Sequence, residues 1–93
     1  MSEFPFSERK LEWGNNVFLR EFQETVESDE LIWHLDREDR KVTVLEGESW
    51  MLQMDNQLPV LLESGRIYHI PAYTYHRVIK GSGNLKVVVE KLL

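Results

Sequence analysis

Turn-forming residues recur along this chain at roughly ten-residue spacing, too close together for helices of ordinary length and well suited to short strands. The signals are Ser28-Asp29, Asp36 to Asp39, Gly47-Glu48, Asp55-Asn56, Ser64-Gly65, Pro71 to Thr74 and Gly81-Ser82-Gly83-Asn84. Between them lie eight runs rich in Val, Ile, Leu and aromatic residues with period-2 alternation: Val17 to Phe22, Leu31 to His34, Lys41 to Leu45, Trp50 to Met54, Leu58 to Leu62, Arg66 to Ile70, His76 to Ile79 and Leu85 to Glu90. This rhythm predicts an all-β chain, a small antiparallel β-barrel or jelly roll of about eight short strands, and not a series of βαβ units. The one helical segment it admits is a turn or two after Ser7, with Ser7 as N-cap and Gly14 as the stop.

Ninety-three residues support one hydrophobic core, so the sequence reads as a single domain spanning 1–93. Its hydrophobic fraction of 42% and charged fraction of 29% belong to a folded globule and not to a disordered segment. Without cysteine, a disulfide scaffold, a thiolate metal site and a cysteine nucleophile are all excluded. No uncharged run approaches a membrane span, and no apolar signal core opens the sequence, so a cytoplasmic protein without membrane contact is expected. Eleven Lys and Arg stand against sixteen Asp and Glu, a formal charge of −5, and the basic residues are scattered. Nucleic acid demands a clustered positive stripe and is not an expected partner.

Alternation assigns side chains to faces. Arg40, Val42 and Val44 point one way, with Lys41, Thr43 and Leu45 opposite. Tyr68 and Ile70 oppose Ile67 and His69, and Leu85, Val87 and Val89 oppose Lys86, Val88 and Glu90. Several strands are thus apolar on both faces, more than a sandwich with a wet exterior requires. A second copy covering one outer face, a homodimer, accounts for the excess.

Few residues here can carry chemistry. The histidines are His34, His69 and His76, and there is no HExxH, GxSxG, P-loop or dinucleotide-binding glycine pattern. The acidic stretch Asp36 to Asp39 lacks the central glycine of a calcium loop, and Gly47 is too distant to serve. Two segments remain, Trp33 to Gly47 and Gly65 to His76. Within them His34 is followed by Asp36, Arg40 and Gly47, and Gly65 by Pro71, Tyr73 and His76. With these positions, and with the Val-Leu-Glu-Gly and Ile-Pro-Ala strand endings, the chain resembles the cupin superfamily, in particular its short single-domain members. That family's motifs read H-x-H-x3-E, six residues and a glycine, then G-x5-P-x-G-x2-H. Here His34 and Gly47 occupy the first and last positions of the first motif. Gly65, Pro71 and His76 occupy theirs in the second. The family's second histidine is Asp36, its glutamate is Arg40, and its second-motif glycine is Tyr73.

The resemblance implies a divalent metal (Fe, Mn, Ni, Cu or Zn) held inside the barrel mouth. His34, Asp36 and His76 would form a two-histidine, one-carboxylate set with open positions for a small polar or oxygen-rich ligand. Arg40 cannot ligate, since all its N–H groups are donors. Pointing inward, it would pair with Asp36 or bind an anionic ligand. Glu38 either belongs to a solvated loop or reaches the metal in place of the missing glutamate. Trp50, Tyr68 and Tyr75, together with Tyr73, line either the core or the mouth, where they would stack on a ligand. His69 reads as an outer-face or dimer-contact residue. Two other readings stay open. One is a metal-free anion-binding or structural module built on an inward Asp36–Arg40 pair. The other is metal-free catalysis with His76 as general base beside Tyr68 or Tyr75. Whether the chain is an enzyme is left undecided by its residues, because the fold serves many chemistries.

Overall fold

The computed structural model describes residues 5–93. It contains eight strands in chain order: β1 (Ser7–Lys10), β2 (Val17–Phe22), β3 (Asp39–Glu48), β4 (Met51–Met54), β5 (Val60–Leu61), β6 (Ile67–Ile70), β7 (His76–Ile79) and β8 (Ser82–Leu92). They form two antiparallel sheets, one ordered β1-β2-β8-β3-β6 and the other β5-β4-β7. The all-β expectation holds.

Two elements differ from the sequence reading. The segment after Ser7 is a strand and not a helix. Its backbone pairs with β2 from Ser7↔Glu21 to Lys10↔Phe18, a tertiary partner that outweighs the weak helical signal of a short polar run. Leu31 to His34 is not a strand. A 3-10 turn over Ser28–Glu30 precedes it, and its one ladder contact is an isolated bridge between His34 and His76. The expected turn at Gly81 to Asn84 is mostly absorbed into β8, which starts at Ser82.

The core lies between the sheets. β3 and β8 run side by side with Val42↔Val89 and Val44↔Val87, and β2 adds Phe22↔Leu85 on the same face. Trp50, Leu52 and Leu62 meet them from the smaller sheet. Trp50, Leu85 and Val44 are the most completely enclosed, and Phe22 tilts against Trp50 with ring centroids 5.9 Å apart. The face assignments hold: Val42, Val44, Ile70, Leu85, Val87 and Val89 are buried, while Leu45, Ile67 and His69 are exposed. β3 shifts register twice against β8, between Val44 and Glu46 and again between Glu46 and Glu48, just before the corner where the chain passes into β4. At that corner Gly81 lies against the Glu48 carbonyl and the Ser49–Trp50 peptide, where a Cβ would collide with backbone. Gly65 adopts φ +85°, the left-handed turn that closes β3 onto β6 through Gly65 N–H to the Val44 carbonyl.

Candidate metal centre

The His34–His76 bridge is where sequence spacing becomes geometry. The two residues exchange backbone hydrogen bonds, His34 N–H to His76 O at 3.0 Å and His76 N–H to His34 O at 2.8 Å. Directly opposed residues of an antiparallel pair project side chains to the same face. Their imidazoles accordingly sit with centroids 4.3 Å apart. Asp36 follows two residues after His34 and so returns to that face. One ligand atom from each of His34, Asp36 and His76 lies within 4.8 Å of the others.

The hydrogen bonds around the cluster decide what those atoms are. His34 Nδ1 sits 3.0 Å from the Ile32 carbonyl, and His76 Nδ1 2.9 Å from the Thr74 carbonyl. A carbonyl accepts, so each Nδ1 carries the proton, and in the neutral imidazole each Nε2 then presents a lone pair. Asp36 Oδ2 is buried without a hydrogen-bond partner, and it faces His76 Nε2 at 3.4 Å. Two electron-pair donors turned towards each other in a buried site repel unless a proton or a cation lies between them. Burial lowers the His76 pKa, mainly by desolvation, with the His34 and Arg40 charges acting in the same direction. Adding a proton there is therefore disfavoured. A cation resolves the conflict, and this donor set suits a divalent transition metal.

Arg40 does not compete for that oxygen. Its Nη2 pairs with Asp36 Oδ1 at 3.1 Å, leaving Oδ2 for the imidazoles. The inward Asp36–Arg40 pair and a ligating Asp36, alternatives at the level of sequence, are compatible in three dimensions. Glu38 Oε1 accepts from Arg40 Nε at 3.1 Å and Nη2 at 2.9 Å and thereby fixes the guanidinium. Asp39 Oδ1 accepts the Ala72 N–H at 2.7 Å, and the Asp36 carbonyl accepts the Tyr73 N–H at 2.7 Å. These two bonds hold the loop between β6 and β7 against Asp36 and the start of β3.

The aromatic residues divide. Trp50 lines the core, with 0% exposure and its indole N–H donating to the Ser82 carbonyl. The Tyr68 hydroxyl donates to the Leu61 carbonyl and accepts from Glu63 N–H, so the structure does not bring it to the cluster. Tyr75, just before β7, is half-exposed, and Tyr73 is more exposed still. His69 faces outward on β6. The sequence reading missed Arg20. This residue lies on the face of β2 that bears Phe22, is largely enclosed, and pairs with Glu8 of β1. Its period-2 phase with Phe22 was the available signal.

Two packed antiparallel sheets carrying a two-histidine, one-carboxylate cluster, with His34 exposed and His76 buried, have the fold of a cupin domain. Solved structures bear the fold out. A cupin-2 domain protein from Shewanella frigidimarina is 24% identical, with TM-score 0.69 over 92% of this chain and 80% of its own. A cupin 2 conserved barrel domain protein from Leptotrichia buccalis is also 24% identical, with TM-score 0.69, over 96% of this chain and 41% of its own. The Fe(II) form of the enzyme HppE is 20% identical, with TM-score 0.65, over 82% of this chain and 41% of its own. The chain thus spans about two fifths of the length of the last two. No protein-family model matches the sequence, and no curated protein does. Among the described residues no helix is long and apolar enough to cross a membrane.

Proposed function

We propose that this chain is a small cupin that holds a divalent metal through His34 Nε2, His76 Nε2 and Asp36 Oδ2 and binds a small, oxygen-rich ligand beside it. One observation carries the reading: three lone-pair donors converge within 4.8 Å while the buried Asp36 Oδ2 has no hydrogen-bond partner. The metal would supply Lewis acidity, polarising an oxygen of the ligand. The chain's own residues do the positioning. The Ile32 and Thr74 carbonyls hold the imidazole tautomers, Arg40 orients Asp36, and Glu38 orients Arg40. The cupin-fold neighbour HppE is described in its Fe(II) form and, in another structure, as a Co(II) form with substrate, which supports a divalent ion in such a fold. We further read the protein as a cytoplasmic homodimer.

Elemental analysis tests the metal. Protein purified without tag or chelator should carry near-stoichiometric metal or take it up from Fe, Mn, Ni, Cu or Zn. The His34→Ala/His76→Ala double variant should keep its circular dichroism and lose the metal. If the wild type takes up none of the five, the reading fails, and a metal-free module resting on the Asp36–Arg40 pair replaces it.

A further inference from the structure

His76 has a neighbour on each side, and only one of them is a histidine. Its own N–H and carbonyl are both taken by His34. On the other side β7 pairs with β4, and the register sets Met54 directly opposite His76. The next pair along, Asp55 and Tyr75, is hydrogen-bonded, Asp55 N–H to the Tyr75 carbonyl at 2.8 Å. Hydrogen-bonded and open pairs alternate along an antiparallel ladder, so Met54 and His76 form an open pair. In such pairs the Cα atoms approach to about 4.5 Å and the side chains, on one face, lie closest. For Met54 that face is the interior. Leu52, two residues earlier, is buried in the core, and Met54 packs against the same core. Met54, His76 and His34 therefore stand in one row across three segments of the chain. Met51 alternates to the other face, opposite Leu61 and Ile79.

The row brings a fourth kind of atom to the cluster. A thioether sulfur is uncharged, polarizable and a weak hydrogen-bond acceptor, and three rotatable bonds let it adjust its position. Thioethers select Cu(I), and imidazoles also suit copper. Zinc is held by thiolates, imidazoles and carboxylates instead. Among the ions that fit two imidazoles and a carboxylate, copper is thus the one that gains from a methionine beside them.

We infer that Met54 Sδ is a soft donor to the ion held by His34, Asp36 and His76, and that it makes the site selective for copper, with Cu(I) the favoured form. This deepens the metal reading and rests on it. Cu(I) affinity is measured without oxygen by competition with bicinchoninate, and Zn2+ affinity by competition with a chromophoric chelator. Leu replaces Met at nearly constant volume, which cores tolerate well. Met54→Leu should weaken Cu(I) by about tenfold or more while Zn2+ stays within about threefold. Met51→Leu should move neither. X-ray absorption at the copper edge of Cu(I)-loaded selenomethionine protein should show selenium bound to copper in the wild type and in Met51→Leu, and none in Met54→Leu. Absence of selenium from the wild-type copper shell overturns the inference whether or not Met54→Leu folds. Unchanged Cu(I) affinity in Met54→Leu also overturns it, as does an equal loss of both ions, which would make Met54 a packing residue. A wild type that binds Zn2+ but not Cu(I) overturns it and leaves the metal reading intact. Failure of the wild type to bind any of the metals overturns both.

Discussion

His76 shows how one residue's surroundings set its chemistry. Burial lowers its pKa, and the Thr74 carbonyl and Asp36, which raise it, do not fully offset the desolvation. The sign for stability follows from linkage. Below the ordinary value of 6.5 the unfolded chain takes up a proton at this residue that the folded chain resists, so stability is lost as pH falls from 6.5 through the depressed value. Chelator-treated protein should therefore show a lower urea midpoint at pH 5 than at pH 8. His76→Ala should flatten that difference; an unaltered slope in the variant would count against the assignment. His34, Asp36 and His76 were legible in the sequence because their spacing within two short motifs carries over into the isolated bridge between His34 and His76, with Asp36 two residues on. Glu8 and Arg20 were not. In sequence they are two ordinary surface-type charges, and only the β1–β2 register sets them against each other.

The loop between β6 and β7 shows the same division for an element. Tyr73 sits where the resembling family has glycine, and its φ is +59°, in the left-handed region that side chains with a Cβ enter at a cost. Its N–H bonds the Asp36 carbonyl, so the strained turn helps set the position of a candidate ligand. Tyr73→Gly should be neutral or stabilising by up to about 1 kcal/mol, whereas the β-branched Tyr73→Val should cost about 1–3 kcal/mol. Urea denaturation of the two variants beside the wild type measures both, and a destabilised Tyr73→Gly would argue that no strain resides there. Strand existence was legible wherever alternation ran for several residues, as in β2 and β7, whose limits match the expected runs. It was not at Leu31 to His34, where apolar residues read as a strand although Ile32 and Trp33 are exposed and no second strand pairs along them.

For the whole molecule, apolar surface outside the core bears on assembly. The outer face of the larger sheet displays Leu45 at 46% and Ile67 at 50% exposure, and Trp13 projects nearby at 75%. Part of the two-faced apolarity is met within the chain, since Val17 and Val88 on that face are already buried. The exposed remainder supports the homodimer expected from the alternation. Light scattering on a sizing column should give about twice the 11.1 kDa chain mass for the wild type and the chain mass for Ile67→Asp. A wild type that stays at the chain mass at high micromolar concentration would rule the dimer out.

Short-range information determined the class of fold and the frame of the site. Turn residues act through local φ/ψ preferences, and period-2 alternation assigns faces without knowledge of partners. The spacing of His34, Asp36 and His76 belongs to the same range. Tertiary structure decided how those groups are used. Pairing β2 with β8 and β8 with β3 joins residues far apart in sequence, and this sets Phe22 against Leu85 and Val42 against Val89 in one core. It also divides Asp36 between Arg40 on one oxygen and the imidazoles on the other. A carboxylate's role depends on what lies within a few ångströms of each oxygen, and long-range strand register sets those distances.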